Sequence, residues 1–349
     1  MVTDAIDDTA EVSYEWRTWA ATSLLAGSAL AEVISVMVGE GIPEAQAAAV
    51  CARLYSADPT FDAARALLAG LATTQRLQKL ESVLTARQTM RDLSADEFTV
   101  ERRTGVGRAE FLDCYYARNV PVVLRDVCDS WPAQRLWNAD YLAERLGAAE
   151  VEVMTGREDD PLYEINSDRH KSRMPFDRYA AAVAATERGN DLYLTANNKL
   201  LANPAAAPLW DDYTLDERYL APDPDHGAAF LWFGPGGTVT PLHHDTINVM
   251  FNQVAGTKKF VLISPLESHC LYNNIAVYSD VDPLRPDLQR FPEFARVRPV
   301  HLTIEPGETL FIPVGWWHHV QSVDQSISVS FTNFAFANDV EWFHPNIER

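Results

Sequence analysis

From about Ala228 onward the sequence breaks into short apolar runs divided by glycine, proline and asparagine: AAFLWFG, NVMFNQVAG, KKFVLISP, RPVHLTIEPGETLFIP and SISVSFTNFAF. Each has the length and the β-branched and aromatic content of a strand. Many short strands at close spacing restrict this half of the chain to a sandwich or barrel, because each strand needs a paired neighbour and a buried face. No internal repeat or low-complexity segment interrupts the pattern.

The first part of the chain obeys another period. From about Tyr14 to Met90 the pattern is helical. GIPEAQAAAVCARLYSA has a proline near its start, a favourable first-turn position. DPTFDAARALLAGLA begins with an aspartate cap, Asp58, followed by proline. TTQRLQKLESVLTARQTM repeats Leu77, Leu80, Val83 and Leu84 at helical spacing. Nothing chemical gathers here, so residues 1–92 are expected to form a helical accessory domain serving dimerisation or substrate docking. Near Ser94 the character changes. EFTVERRTGVGRAEFLDCYYARNVPVVL reads as strand, short helix, strand, and helical patterns return at DYLAERLG and PFDRYAAAVAATERG. Residues 93–349 are therefore expected to form one α+β domain ending in the strand-rich segment.

Charge and cysteine content narrow the partners. Asp and Glu outnumber Lys and Arg by 49 to 29, a net charge of -20. A general binder of nucleic acid or anionic membrane needs a basic surface, so neither is expected; a basic peptide or a small molecule is compatible. Cys51, Cys114, Cys128 and Cys270 are scattered without a CxxC pair, which argues against a zinc finger or disulfide framework and for reduced thiols in a cytoplasm. The segment MVTDAIDDTAEVSYEW lacks the basic and apolar regions of a signal peptide. The apolar run Ala21 to Gly39 contains Glu32 and small polar residues, so it reads as a buried helix rather than a membrane span. A soluble cytoplasmic protein is expected.

The stretch TVTPLHHDT, Thr238 to Thr246, follows the turn GPGG and sits between apolar runs. On a strand, residues i and i+2 share a face, so His243 and Asp245 converge and His244 points away. About one His-x-Asp or His-x-Glu is expected by chance in a chain this acidic. A second cluster, GWWHHV from Gly315 to Val320, changes the odds, because two distant strands each offer a histidine inside an apolar run. Two histidines and a carboxylate occupy one face of an octahedral metal and leave positions open for substrates, the arrangement of non-haem Fe(II) oxygenases. The same set also holds catalytic zinc. Any one of these histidines alone is more often a core or surface residue satisfied by hydrogen bonds; the joint pattern points to a metal. Spacing does not choose between His318 and His319.

The span from about Val100 to Asn338 resembles the JmjC or cupin-like 2-oxoglutarate-dependent oxygenases. It is most similar to bacterial cupin-like proteins related to the asparaginyl hydroxylase that inhibits hypoxia-inducible factor. The resemblance rests on FLWFGPGGTVTPLHHDTINVMFNQVAGTKKFVLISP and EPGETLFIPVGWWHHVQSVDQSISVSFTNF, which occur in the family's order. It implies a double-stranded β-helix (jelly-roll, cupin) and a metal held by His243, Asp245 and His318, the first histidine after the tryptophan pair. It also implies Fe(II), 2-oxoglutarate and O2, with hydroxylation of a peptide or protein side chain and release of succinate and CO2. N-methyl demethylation and small-molecule hydroxylation are the enzymatic alternatives, and a cupin that only binds a ligand is the non-enzymatic one.

For the co-substrate the resemblance implies Lys258 in GTKKF as the partner of the distal carboxylate. Strand alternation agrees that at most one of Lys258 and Lys259 points inward. The resemblance further implies Thr240, Tyr193 in DLYLTANN and Asn333 in SFTNF, although a packed core tyrosine would look the same as Tyr193. Val249 stands where the hypoxia-related hydroxylase has an asparagine, and Asn248 precedes it, so a local difference in the pocket is expected. The C-terminal dimer helices of that hydroxylase have no counterpart in this sequence, so its dimer mode does not carry over to a homodimer of this chain. Trp316 and Trp317 are expected to shield the pocket or fill the barrel. The loops Tyr163 to Met174 and Asn273 to Asp287 are expected to set specificity.

Overall fold

The computed structural model describes residues 12–56, 59–93, 99–195 and 198–340. The acidic N-terminal segment before Val12 and the expected cap Asp58 lie outside the described residues. The chain divides into two compact units, Met1–Ala86 and Arg87–Arg349.

The first unit is helical: α1 (Tyr14–Leu25), α2 (Leu30–Gly39), α3 (Glu44–Ser56) and most of α4 (Pro59–Asp92). Ser13 caps α1 by accepting a hydrogen bond from the Trp16 amide, which satisfies one of the free N–H groups at the helix start. The apolar run from Ala21 to Gly39 is not one helix. It ends at Leu25, turns through Gly27 at φ 95 and restarts at Leu30. Leu24, Val33 and Met37 then pack with Ala47, Val50 and Cys51 in a small core. No helix among the described residues is long and apolar enough to cross a membrane. Along α4 the expected apolar positions are helical but largely uncovered: Leu77, Leu80 and Val83 are exposed, as are Leu67 and Leu71 before them, and of the expected set only Leu84 is half-buried.

The second unit holds β1 (Glu101–Arg103), β2 (Val122–Leu124), β3 (Glu150–Thr155), β4 (Lys171–Pro175), β5 (Leu192–Tyr193), β6 (Ala229–Gly234), β7 (Val239–His244), β8 (Val249–Ala255), β9 (Lys258–Ile263), β10 (Val300–Ile304), β11 (Thr309–Ile312), β12 (Trp317–Ser322) and β13 (Ser326–Phe331). The last eight form two four-stranded antiparallel arrays, β11-β8-β13-β6 and β10-β9-β12-β7. The chain passes repeatedly between the two, which is the double-stranded β-helix expected of the family. β2 and then β1 extend the first array, and β4-β3-β5 makes a separate sheet. The two later helical patterns form α5 (Ala139–Leu146) and α6 (Phe176–Ala185).

Strand β13, SISVSF, shows how both faces of the larger sheet are buried. Ile327, Val329 and Phe331 join the core with Phe111, Leu142 and Tyr179. The alternating serines are equally buried, and each finds a polar partner. Ser328 Oγ donates to Gln253 Oε1 at 2.8 Å, Ser330 Oγ accepts from Trp232 Nε1 at 2.9 Å, and Ser326 Oγ lies 3.2 Å from Ser322 Oγ. A sheet covered on both sides loses the usual link between polar residues and solvent.

One turn sets the register of the smaller sheet. Gly256 has φ +70, and a Cβ there would stand 2.1 Å from the Gln325 carbonyl oxygen. Only glycine fits. The Thr257 amide then donates to Asp324 Oδ1 at 2.6 Å, and β9 enters opposite β12 with Lys258 across from Ser322.

Candidate metal centre

His243 is the next-to-last residue of β7, Asp245 follows that strand directly, and His318 lies on β12, paired with His243 across the ladder. The two imidazole centroids are 4.1 Å apart, and His318 Nε2 is 3.6 Å from Asp245 Oδ2. One ligand atom from each of the three residues lies within 4.8 Å of the others.

Backbone carbonyls decide the protonation of both rings. His243 Nδ1 is 2.8 Å from the Pro241 oxygen, and His318 Nδ1 is 3.0 Å from the Trp316 oxygen. A carbonyl can only accept, so each Nδ1 carries a proton, and in the neutral imidazole the lone pair is the one on Nε2. Burial, reinforced by His243, pushes the His318 pKa well below the ordinary value. Burial raises the Asp245 pKa, although about a third of its side chain (36%) still reaches solvent. Two imidazole Nε2 atoms in the ligating tautomer and a carboxylate thus converge. The set suits a divalent metal with open coordination positions.

The neighbouring histidines face elsewhere. His244 packs edge-on against Trp317 with centroids 4.7 Å apart. His319 is buried on the opposite side of β12, and burial pushes its pKa down to about 4. Trp316 joins the barrel interior and Trp317 an outer cluster. Neither lines the cavity beside the three residues, so their place is core filling rather than shielding.

That cavity has a volume of about 290 Å³ and is walled by Tyr193, Trp232, Thr240 and Lys258 together with His243, Asp245 and His318. Lys258 is 1% exposed, and its Nζ donates to Tyr193 Oη at 3.0 Å. Among the described residues no carboxylate lies within ion-pair reach of it. The rings of Phe251, Tyr193 and Trp232 surround the ammonium, with centroids 5.2, 5.5 and 5.8 Å away. Burial lowers its pKa to about 7. Lys259, one residue on, is exposed. A buried cation without an anion is costly unless a ligand supplies the charge. Tyr193 is wholly buried, which raises its pKa, and a hydrogen bond with Thr240 opposes that shift.

Thr240 and His243 line the same cavity despite their odd spacing. Across β7 and β12, His243 pairs with His318 and Thr240 with Val320, so three steps on β7 match two on β12. This is a β-bulge, which flips one side chain to the other face. Pro241 sits in it, tolerated because β7 is an edge strand.

Asn333 is a correction. The structure does not bring it to the cavity: its amide donates to the Ala221 carbonyl, whereas Thr332 and Ser330 are the cavity residues of this segment. Alternation continuing from β13 explains this, since even-numbered residues point inward. Val249 does line the cavity. Asn248 is not among the cavity residues: its Nδ2 donates to Asn338 Oδ1 at 2.8 Å, and its Oδ1 accepts from the Val314 amide at 2.9 Å. Phe230 and Trp232 also line the cavity and were missed from the sequence; their i, i+2 spacing in AAFLWFG was the available signal.

A larger groove of about 810 Å³ contains none of the three converging residues. It is walled by Tyr163, Glu164 and Ile165 and by Tyr278 to Leu284, parts of the two loops expected to set specificity. Tyr278 links the two spaces: its backbone bridges to His243, and its ring centroid is 5.9 Å from that imidazole.

Residues 108–335 match the family model of the cupin-like domain. The chain is 31% identical over 241 residues to lysine-specific demethylase JMJ30 of Arabidopsis thaliana, covering 66% of this chain and 54% of that protein. It is 29% identical to lysine-specific demethylase 8 of Xenopus tropicalis, covering 63% and 49%. It is 27% identical to HSPB1-associated protein 1 of Homo sapiens, covering 61% and 47%. The chain thus spans about half the length of these relatives.

Proposed function

The chain belongs to the JmjC-type cupin-like family, and from that premise we propose that it is an Fe(II)- and 2-oxoglutarate-dependent oxygenase that hydroxylates a peptide or protein side chain. The observation that carries this reading is Lys258, a buried cation without a counter-ion, on the same cavity wall as the His243, Asp245 and His318 cluster. A metal site alone would fit many reactions. A metal site sharing a small cavity with an unpaired ammonium fits a co-substrate that chelates at one end and carries a carboxylate at the other.

In this reading His243 Nε2, Asp245 and His318 Nε2 hold the iron, and their shared face leaves positions open. The bound iron would supply O2 activation coupled to decarboxylation of the keto acid, yielding succinate and CO2. Lys258 Nζ, Tyr193 Oη and Thr240 Oγ1 orient the far carboxylate. Phe230, Trp232, Phe251 and Phe260 exclude water from the cavity. The Pro241 and Trp316 carbonyls keep the two imidazoles in the ligating tautomer.

The net charge of -20 supports a basic peptide as the substrate, since opposite charge speeds encounter. We place the protein in the cytoplasm, where its free cysteines stay reduced, without a nucleic-acid or membrane partner. The uncovered apolar positions of α4 support a role for the helical unit in homodimerisation or docking. The deciding test is 2-oxoglutarate turnover to succinate with Fe(II) and O2, read beside mass spectrometry of candidate peptides. Oxygen gain on a stable side-chain carbon supports hydroxylation. The relatives named as demethylases favour a second reading, N-demethylation, in which the hydroxylated carbon sits on nitrogen and leaves as formaldehyde. No turnover of 2-oxoglutarate with any peptide or metabolite would sink both.

A further inference from the structure

Arg157, just after β3, is wholly buried and absent from the cavity wall, yet it touches what supports that wall. Its Nη2 donates to the Val239 carbonyl at 2.8 Å and to Glu164 Oε1 at 2.7 Å. Its Nη1 donates to Asn190 Oδ1 at 3.1 Å, and the same oxygen accepts the Val239 amide at 2.8 Å. Both peptide groups flanking Val239 are therefore held, one directly and one through Asn190. Val239 immediately precedes Thr240, at the start of the bulged segment. The guanidinium carbon also lies 5.3 Å from the Tyr193 ring centroid and 4.2 Å from that of Tyr163.

The planar fork explains why arginine stands here. It serves a carbonyl, a carboxylate and an amide oxygen at fixed angles while its flat face meets aromatic rings. Glu164 provides the counter-charge that a fully buried cation needs. The Nε atom is buried without a hydrogen-bond partner, so the side chain is placed for its outer nitrogens and its face rather than for complete satisfaction of its own donors.

We propose that Arg157 is a positioning residue for the anion-receiving end of the cavity: by fixing Tyr193 and the strand start at Thr240, it sets the preference for a dicarboxylate 2-oxo acid over a monocarboxylate one. The inference rests on the reading of Lys258, Tyr193 and Thr240 as the carboxylate site. Tyr193 Oη accepts from Lys258 Nζ, and its ring packs against the Arg157 guanidinium, 5.3 Å from the ring centroid. Loosening that contact lets the hydroxyl move relative to Lys258, and loosening Val239 lets Thr240 shift on an edge strand. Charge-assisted hydrogen bonds depend steeply on such placement.

The test measures binding of 2-oxoglutarate and of 2-oxopentanoate by calorimetry in the full-length chain loaded with Mn(II). The second acid has a methyl group where the first has its distal carboxylate, so the ratio of the two affinities reports only the carboxylate end. The wild type is expected to prefer 2-oxoglutarate by about tenfold or more. Arg157→Lys should cut that ratio by about threefold or more, and Arg157→Ala should nearly erase it, with 2-oxopentanoate affinity unchanged within about twofold. A purely structural role would lower both affinities in parallel or lower the melting temperature alone, and either result overturns the proposal. If Arg157→Ala fails to fold, Arg157→Lys, which keeps the charge beside Glu164, decides the matter. A wild type without dicarboxylate preference overturns the carboxylate site itself, a failure seen before any substitution is made.

Discussion

The inner and outer faces of the β10-β9-β12-β7 sheet carry nearly the same residue types and give them different chemistry. Three doublets cross it: His243 and His244, Lys258 and Lys259, His318 and His319. The inner members meet around one small cavity. Of the outer members, His244 packs on Trp317, Lys259 is exposed, and His319 lines outer grooves. Lys258 loses its water and its pKa falls to about 7, whereas Lys259 keeps its solvent. Residue type is thus a weak guide to role, and the side of the sheet is a strong one, because desolvation and converging partners determine what an ionisable group does.

The histidine doublets should give the largest contrast. Under anaerobic conditions Fe(II) and 2-oxoglutarate should produce a visible charge-transfer band in the wild type. His243→Ala and His318→Ala are each expected to abolish it. His244→Ala and His319→Ala should retain it, because their rings lie on the other face. Loss of the band in His319→Ala with retention in His318→Ala would reverse the two faces.

The lysine doublet comes next. Lys258→Ala removes a charge-assisted hydrogen bond worth roughly 1.5–3 kcal/mol, so the 2-oxoglutarate Kd should rise at least about tenfold. Lys259→Ala should leave it unchanged. Equal effects would mean that the turn at Gly256 does not fix the register described above.

How much of this was legible beforehand differed along the chain. The strands β6, β8 to β11 and β13 were visible as short apolar runs, β7 and β12 as the strands carrying the histidine pairs, and the inward choice between two lysines followed from period-2 alternation together with the family's motif. Alternation also held the answer for Asn333: counting inward from Ser328 and Ser330 reaches Thr332, not Asn333. Thr240 was beyond such counting, because the bulge at Pro241 is a feature of strand pairing and leaves alternation intact on paper. Arg157 had no local signal at all. A single arginine in TGRED reads as solvated, and only tertiary packing buries it. In α4 the helix was legible from Leu77, Leu80 and Val83, but whether a partner covers that stripe depends on contacts that periodicity does not encode.

The pH response sharpens the comparison of faces further. Lys258 has a folded-state pKa of about 7, below the ordinary lysine value. Below that pH its ammonium is already present when the dicarboxylate arrives; above it, binding must take up a proton. The 2-oxoglutarate affinity should therefore be flat below about pH 7 and fall by up to about tenfold per unit above it, until the pKa of the complex is reached. Stability of the ligand-free protein runs the other way. Between pH 7 and the unfolded lysine value the unfolded chain holds one more proton, so this group makes stability rise with pH. Calorimetry across this range checks the first expectation, and Lys258→Arg, charged throughout, should remove the slope. A slope that persists in Lys258→Arg would assign it to another group.

The smallest expected effect tests the bulge, the one irregularity in the sorting of side chains between faces. If β7 alternated without interruption, Thr240 would share the outer face with Leu242 and His244, and its hydroxyl could not reach a ligand. The pairing of Thr240 with Val320 and of His243 with His318 puts it inside instead, beside Tyr193 and Lys258. Thr240→Val keeps the shape and β-branching while removing one neutral hydroxyl. Such a bond is worth about 0.5–1.5 kcal/mol, so 2-oxoglutarate affinity should fall about two- to tenfold, less than for Lys258→Ala. Thr238→Val is the matched control. Its hydroxyl donates to Ser322 Oγ at 2.7 Å and is buried outside the cavity, so that change should lower the melting temperature and leave affinity alone. If Thr240→Val behaves like Thr238→Val, costing stability without touching affinity, then the bulge does not turn Thr240 inward and the carboxylate rests on Lys258 and Tyr193 alone.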